Sequence, residues 1–151
     1  MAEARALVVA GRTELRAGRA DRAGPLLRHG LQLAEELDLD VVVVEAKAAL
    51  ARHAVATGQT DEARALVDDV LAHLTPSDLA GALDPGEVYA ACHEALEELH
   101  DERASEALHA ARAYLDHMAA VIDENDLRSG FLTRVDTNVE LTRALRALGS
   151  R

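Results

Sequence analysis

The chain is predicted to be all-α, an α-solenoid of three helical hairpins closed by a C-terminal capping helix, and three observations predict it. The first is a recurring phrase. Gly18-Arg19-Ala20-Asp21-Arg22-Ala23 is followed by Leu27 and Leu31, Gly58-Gln59-Thr60-Asp61-Glu62-Ala63 by Val67 and Leu71, and Glu102-Arg103-Ala104-Ser105-Glu106-Ala107 by Ala111 and Leu115. The closing alanines Ala23, Ala63 and Ala107 lie 40 and then 44 residues apart, a period that fits stacked helix-turn-helix units. The second is composition: 49% of residues are hydrophobic but only 2% aromatic, with no Trp. A core of Ala, Leu and Val lets helices approach closely, which favours helix-on-helix packing. The third is punctuation: three prolines and nine glycines in 151 residues leave room for long helices.

Each element follows from local pattern. Residues 3–17 place apolar positions on one side and stop at Gly18. Residues 20–38 carry Ala23, Leu27, Leu31, Ala34 and Leu37 at spacings of three and four. The β-branched run Val41–Val44 would suit a strand, but it leads into strong helix formers from Glu45 to Arg52, so a helix is expected over 40–57. Thr60, with Asp61 and Glu62, is expected to cap a helix whose stripe runs through Ala63, Val67, Val70 and Leu74 and ends at Thr75-Pro76. Residues 77–83 are expected to form a short helical turn in a longer connection. Asp84-Pro85-Gly86-Glu87 is a start signal, with Asp as cap, Pro first in the helix and Glu third. Helices over 85–100 and 103–122 follow. The tail, 124–148, is expected to be one capping helix broken near 134–136, with Asp136 as a fresh cap. The whole chain, 1–151, reads as one domain with repeats at about 4–38, 40–75 and 85–122.

Aligning the turns extends the repeat. A small residue, Gly11, Ala51 or Ala95, precedes each turn, and Ala20, Thr60 or Ala104 follows it. This pattern resembles the tetratricopeptide repeat, in which small residues mark the closest approach of two antiparallel helices. The aromatic positions of that repeat are replaced here: its Trp by Leu7, Lys47 or Ala91, its Tyr by Glu14, Ala54 or Glu98, and its Phe by Leu27, Val67 or Ala111. Long, aromatic-poor repeats of this kind look like the helical arms that follow an ATPase domain in bacterial LuxR-type activators and ATPase-linked adenylate cyclases. The stretch from Asp126 to Asn138 is similar to the tail of such arms. The resemblance implies a non-catalytic protein–protein interaction or regulatory module of a bacterial signalling or transcription regulator, with a protein or peptide partner. The alternative is a regulatory pocket for a small anionic ligand.

Charge and composition exclude other classes. Residues 61–126 carry 17 acidic and 3 basic side chains, which opposes binding to phosphate backbones, so no direct nucleic-acid partner is expected. No apolar run reaches membrane-spanning length and the N-terminus lacks a signal-peptide layout, so a cytoplasmic protein without a membrane partner is expected. The single Cys92 cannot form an internal disulfide and is expected to be a buried core residue. Glu97-Glu98-Leu99-His100 and Glu106-Ala107-Leu108-His109 both contain Glu-x-x-His, the pair used by di-iron bundles. They fall on either side of one turn instead of at matching depth, so neither a metal nor any other cofactor is expected, and the protein is not expected to be an enzyme.

With the helix phase taken from Gly11, Ala51 and Ala95, the opposite side of each first helix should line a groove. That side carries Arg5, Arg12 and Arg16, then Glu45 and Arg52, then Tyr89, His93 and His100. Arg12 and Arg52 occupy equivalent places, which would make part of the groove basic and suited to an anion, unless they pair with Glu14, Glu45 and neighbouring acids. The first helix should expose Leu7, Val8 and Leu15, an apolar edge that implies a homodimer or an upstream domain.

Overall fold

A computed structural model describes residues 1–75 and 77–150. These residues form eight helices and no strand: α1 (Ala2–Arg16), α2 (Ala20–Glu36), α3 (Asp40–Ala56), α4 (Thr60–Leu71), α5 (Pro85–Glu98), α6 (Ala104–Ala120), α7 (Asn125–Arg134) and α8 (Asp136–Gly149). None of them is long and apolar enough to cross a membrane. Neighbours in sequence pair as α1 with α2, α3 with α4 and α5 with α6; α3 also packs on both α1 and α2, and α5 on both α3 and α4.

One turn geometry is used four times. The second residue after the helix enters the left-handed region at Gly18 (φ 74), Asp38 (φ 53), Gly58 (φ 73) and His100 (φ 51). The next backbone N–H then reaches back five residues: Arg19 to the Glu14 carbonyl, Leu39 to Ala34, Gln59 to Ala54 and Asp101 to Leu96. These bonds satisfy carbonyls that the ending helix leaves open. Glycine makes two of these turns readable from sequence; Asp38 and His100 adopt the same conformation with a side chain, and give no such signal.

Capping departs from expectation at two helices. Asp84 does cap α5, accepting the Glu87 N–H at 3.2 Å, with Pro85 at the first helical position. Thr60 and Asp136 do not cap: each is the first residue of its helix and makes no side-chain capping bond. The Gln59 and Val135 carbonyls already accept the first helical bonds, from Ala63 and Val139, which puts the expected caps one residue inside. The predicted end at Thr75-Pro76 is also late, since α4 stops at Leu71; Pro76 lies outside the described residues.

The small residues lie where helices are closest. Ala23, Ala51, Ala63 and Ala95 are fully buried and Ala107 nearly so. α3 is buried around most of its circumference, from Val42 and Val44 through Ala46, Ala48 and Ala49 to Ala54, which explains a sequence without a polar face. A Cβ on Gly11 would stand 2.6 Å from Leu27 Cγ and 3.3 Å from the Ala23 carbonyl. Gly11→Ala should therefore destabilise by about 1–3 kcal/mol through overpacking, despite alanine's better helix propensity. In contrast, Gly130→Ala in α7 meets nothing closer than 3.9 Å and should stabilise by up to about 1 kcal/mol. Urea unfolding of the two variants checks the opposite signs.

The expected exposed edge on α1 is different in the structure. Val8 is buried, because Gly30 brings α2 close against it, and Leu7 and Leu15 are half-buried. The exposed large apolar residues of α1 and its N-terminus are Met1 and Val9.

The chain end turns back on itself. The predicted break occurs at Val135, which is extended (ψ 113) between α7 and α8. α8 packs on both α5 and α6, as α3 does on the first pair and α5 on the second. Tyr89 stacks on Tyr114 at 5.3 Å, and Phe131 meets Tyr114 edge-on at 6.4 Å. The chain has two Tyr and one Phe, so all its aromatic rings join α5, α6 and α7 in one cluster. Gly86 then allows the start of α8 to approach α5: a Cβ there would lie 2.8 Å from Asn138 Oδ1 and 3.1 Å from Thr137 Oγ1. Thr137 donates to Asp84, and the Asn138 amide donates to the Phe131 carbonyl at 3.0 Å.

Candidate functional site

Four helices share a cleft of about 460 Å³, lined by Leu15 and Arg16 of α1, Arg52 of α3, Glu94 of α5, and Asp136, Val139, Glu140 and Arg143 of α8. Two smaller hollows of about 350 and 330 Å³ continue it. One runs between α3 and α5 over Val55, Ala56 and Ala95, the other between α5 and α8 over Ala90, Ala144 and Ala147. Arg52, His93, Glu94, Glu140 and Arg143 each line more than one of the three, so they form one surface.

Glu87 organises the wall of this surface. Its side chain is 6% exposed and faces three arginines from two other helices. Arg16 donates at 2.5 Å, Arg12 approaches to 3.9 Å, and Arg52 donates to the other carboxylate oxygen. Arg12 also donates to Asp84 at 3.5 Å, and Arg52 Nε lies 2.6 Å from Glu94. Burial works to lower the Arg16 pKa, but the Glu87 carboxylate, helped by Glu140 and Asp84, more than offsets it and holds the guanidinium above its ordinary value. A single carboxylate thus ties α5 to α1 and α3.

The sequence-predicted residues divide into three groups. Arg16 and Arg52 line the main cleft and His93 the two hollows; His93 is half-buried, with Nδ1 3.2 Å from the Ala104 carbonyl, which makes that nitrogen the donor. Arg5 and Glu45 hold the 72–84 connection: Arg5 donates to the Gly81 carbonyl at 3.2 Å, and buried Glu45 accepts the Leu83 N–H at 2.8 Å. Arg12 stands behind the wall on Asp84 and Glu87. Tyr89 is fully buried, its hydroxyl donating to the Leu74 carbonyl at 3.3 Å, and His100 sits exposed in the α5–α6 turn. Arg12 and Arg52 both approach Glu87, Arg12 from behind the wall and Arg52 from the cleft. Of the two, Arg52 donates to Glu87, and Arg12 donates to Asp84 and lies 3.9 Å from Glu87, whereas Glu14 pairs with Arg19.

Glu87 was readable only as the third residue of a helix start. Its long-range role depends on partners 71 and 35 residues away, beyond any local pattern. Glu140 and Arg143 had a weak signal, since they flank Leu141 on the predicted capping helix, but nothing in sequence placed α8 beside α5.

Other chemistry-bearing residues lie apart from the cleft. Cys92 is buried, which pushes its thiol up to about 12 despite an opposing field from Arg52. His100 and His109, from the two Glu-x-x-His motifs, are exposed. Among the described residues no group of three or more His, Cys, Asp and Glu is arranged to hold a metal ion. In the α5–α6 turn, Arg103 spans Asp101 at 2.7 Å and Asp68 of α4 at 2.8 Å; hydrogen bonds from its side chain and then its backbone hold the Asp101 carboxyl well below the usual carboxylate range.

No protein-family model matches the chain, and searches of curated proteins and of solved structures find no significant match to it.

Proposed function

We propose that the chain is a tetratricopeptide-like solenoid that serves as a non-catalytic interaction module, with a protein or peptide partner held in the four-helix cleft. The observation that carries this reading is the cleft itself: a continuous surface to which all three hairpins and the capping helix contribute, with a small-residue floor and charged walls. The packing of α3, α5 and α8 each on both helices of the preceding pair supports the repeat assignment. A regulatory role in a bacterial signalling or transcription protein rests on the sequence resemblance, and a cytoplasmic setting on the sequence's lack of a membrane-length apolar run and of a signal-peptide layout. The acidic composition continues to argue against nucleic acid.

The small-anion alternative loses its main support, since the guanidinium groups meant to bind the ligand are engaged by Glu87. The same pairing makes Arg12→Ala with Arg52→Ala a poor test, because it would strip a buried carboxylate of two partners. Site-specific photo-crosslinking is better. A photoreactive side chain at Arg143, in the cleft, should give a discrete adduct in cells of the source organism, and one at Arg112, on the exposed face of α6, should not. Adducts from Arg112 alone, or the same adducts from both positions, would remove the cleft as the interaction surface.

A further inference from the structure

Resting on that reading of the cleft, we infer that its partner is a basic, amphipathic protein segment, and not the acidic peptide or anion suggested by the arginine count. The inference comes from sorting the charges into those already paired and those left to face a ligand. Arg16 and Arg52 are held by Glu87, and Arg52 also by Glu94. Among the described residues, Glu97, Glu98, Asp136 and Glu140 make no ion pair, and all four are exposed along the cleft and its hollows. Arg143 is the basic lining residue that is likewise without an ion-pair partner.

Four carboxylates against one guanidinium leave the surface acidic. Walls of one sign around a low-dielectric floor attract and orient a segment of the opposite sign. The floor adds the second requirement. Ala90, Leu141, Ala144 and Ala147 form a mainly apolar hollow between α5 and α8, which takes apolar side chains spaced along one face of a segment. Lys and Arg on its flanks would then meet Glu97 and Glu98 on one side and Asp136 and Glu140 on the other. A free metal ion does not fit, because these carboxylates are spread along the groove without a ligating cluster.

The test is selection from a display library of amphipathic peptides unbiased at their polar positions, followed by anisotropy measurements on labelled winners. The expected winners are rich in Lys and Arg. Their affinity should fall about tenfold or more in the combined variant Glu97→Gln, Glu98→Gln, Glu140→Gln, and should weaken as salt is raised. These sites are exposed, so circular dichroism and the thermal midpoint should stay at parent values. Ala147→Gln, alone and with Ala144→Gln, should weaken the same peptides by blocking the floor. Acidic or neutral winners that still depend on Ala147 would overturn the basic-partner inference and leave the cleft reading intact. Winners indifferent to both sets of variants, or no winners at all, would overturn the cleft reading itself.

Discussion

Replacing Glu87 by alanine is expected to cost about 2–4 kcal/mol of stability, the largest effect of any single charge change in the chain. The carboxylate accepts from Arg16 and Arg52 and lies 3.9 Å from Arg12; the side chains of Arg12, Arg16 and Arg52 are 13%, 48% and 16% exposed. Without it, Arg16 loses its ion-pair partner and the mostly buried Arg52 keeps only the exposed Glu94, while Arg12 retains Asp84. Removing one partner of a buried pair costs roughly 3–5 kcal/mol, and the partial exposure of the arginines brings that down. For a chain of this size the loss corresponds to a fall in thermal midpoint of roughly 5–15 °C. Glu140→Gln, at an exposed carboxylate without an ion pair, should change stability by less than about 0.5 kcal/mol. Similar midpoints for the two variants would mean that Glu87 does not couple α5 to α1 and α3.

Ala63→Leu is expected to rank second, at about 1–3 kcal/mol. Ala63 has no exposed surface, and α4 packs against both α3 and α5. A leucine there must displace neighbours, and overpacked cores lose stability on this scale. Ala65→Leu, two residues on and exposed, is the control: alanine and leucine have close helix propensities, so it should be near neutral. Denaturant midpoints for the pair separate a packing effect from a helix effect. Equal midpoints would remove the close helix approach at Ala63.

What could be read from the sequence was local and periodic. The small residues Gly11, Ala23, Ala51, Ala63, Ala95 and Ala107 repeat with the hairpins, and their burial follows from that spacing. The Asp84-Pro85 start signal needs only its own helix turn. The break at Val135 showed because Asp136 reads as a fresh helix start, although it makes no capping bond. Features set by distant partners were not legible. The N-terminal apolar edge was expected to be more exposed because Gly30, which draws α2 onto Val8, reads as an ordinary break in a helix pattern. The groove was read from helix phase alone. Phase brought Arg16, Arg52 and His93 onto one surface, the cleft and its hollows, but it could not tell that Tyr89 would turn into the aromatic cluster. Nor could it show that α8 would supply Glu140 and Arg143 to the cleft.

In the proposed function a partner binds at the shared surface of α1, α3, α5 and α8. Backbone amide shifts of the isotope-labelled protein, titrated with the tightest selected peptide, test this most directly. The predicted result is a contiguous set of perturbations at Val55, Ala90, Glu97 and Ala144, with Arg28 of α2 and Asp68 of α4 unmoved. Perturbations confined to α2, α4 and the outer face of α6 would contradict it.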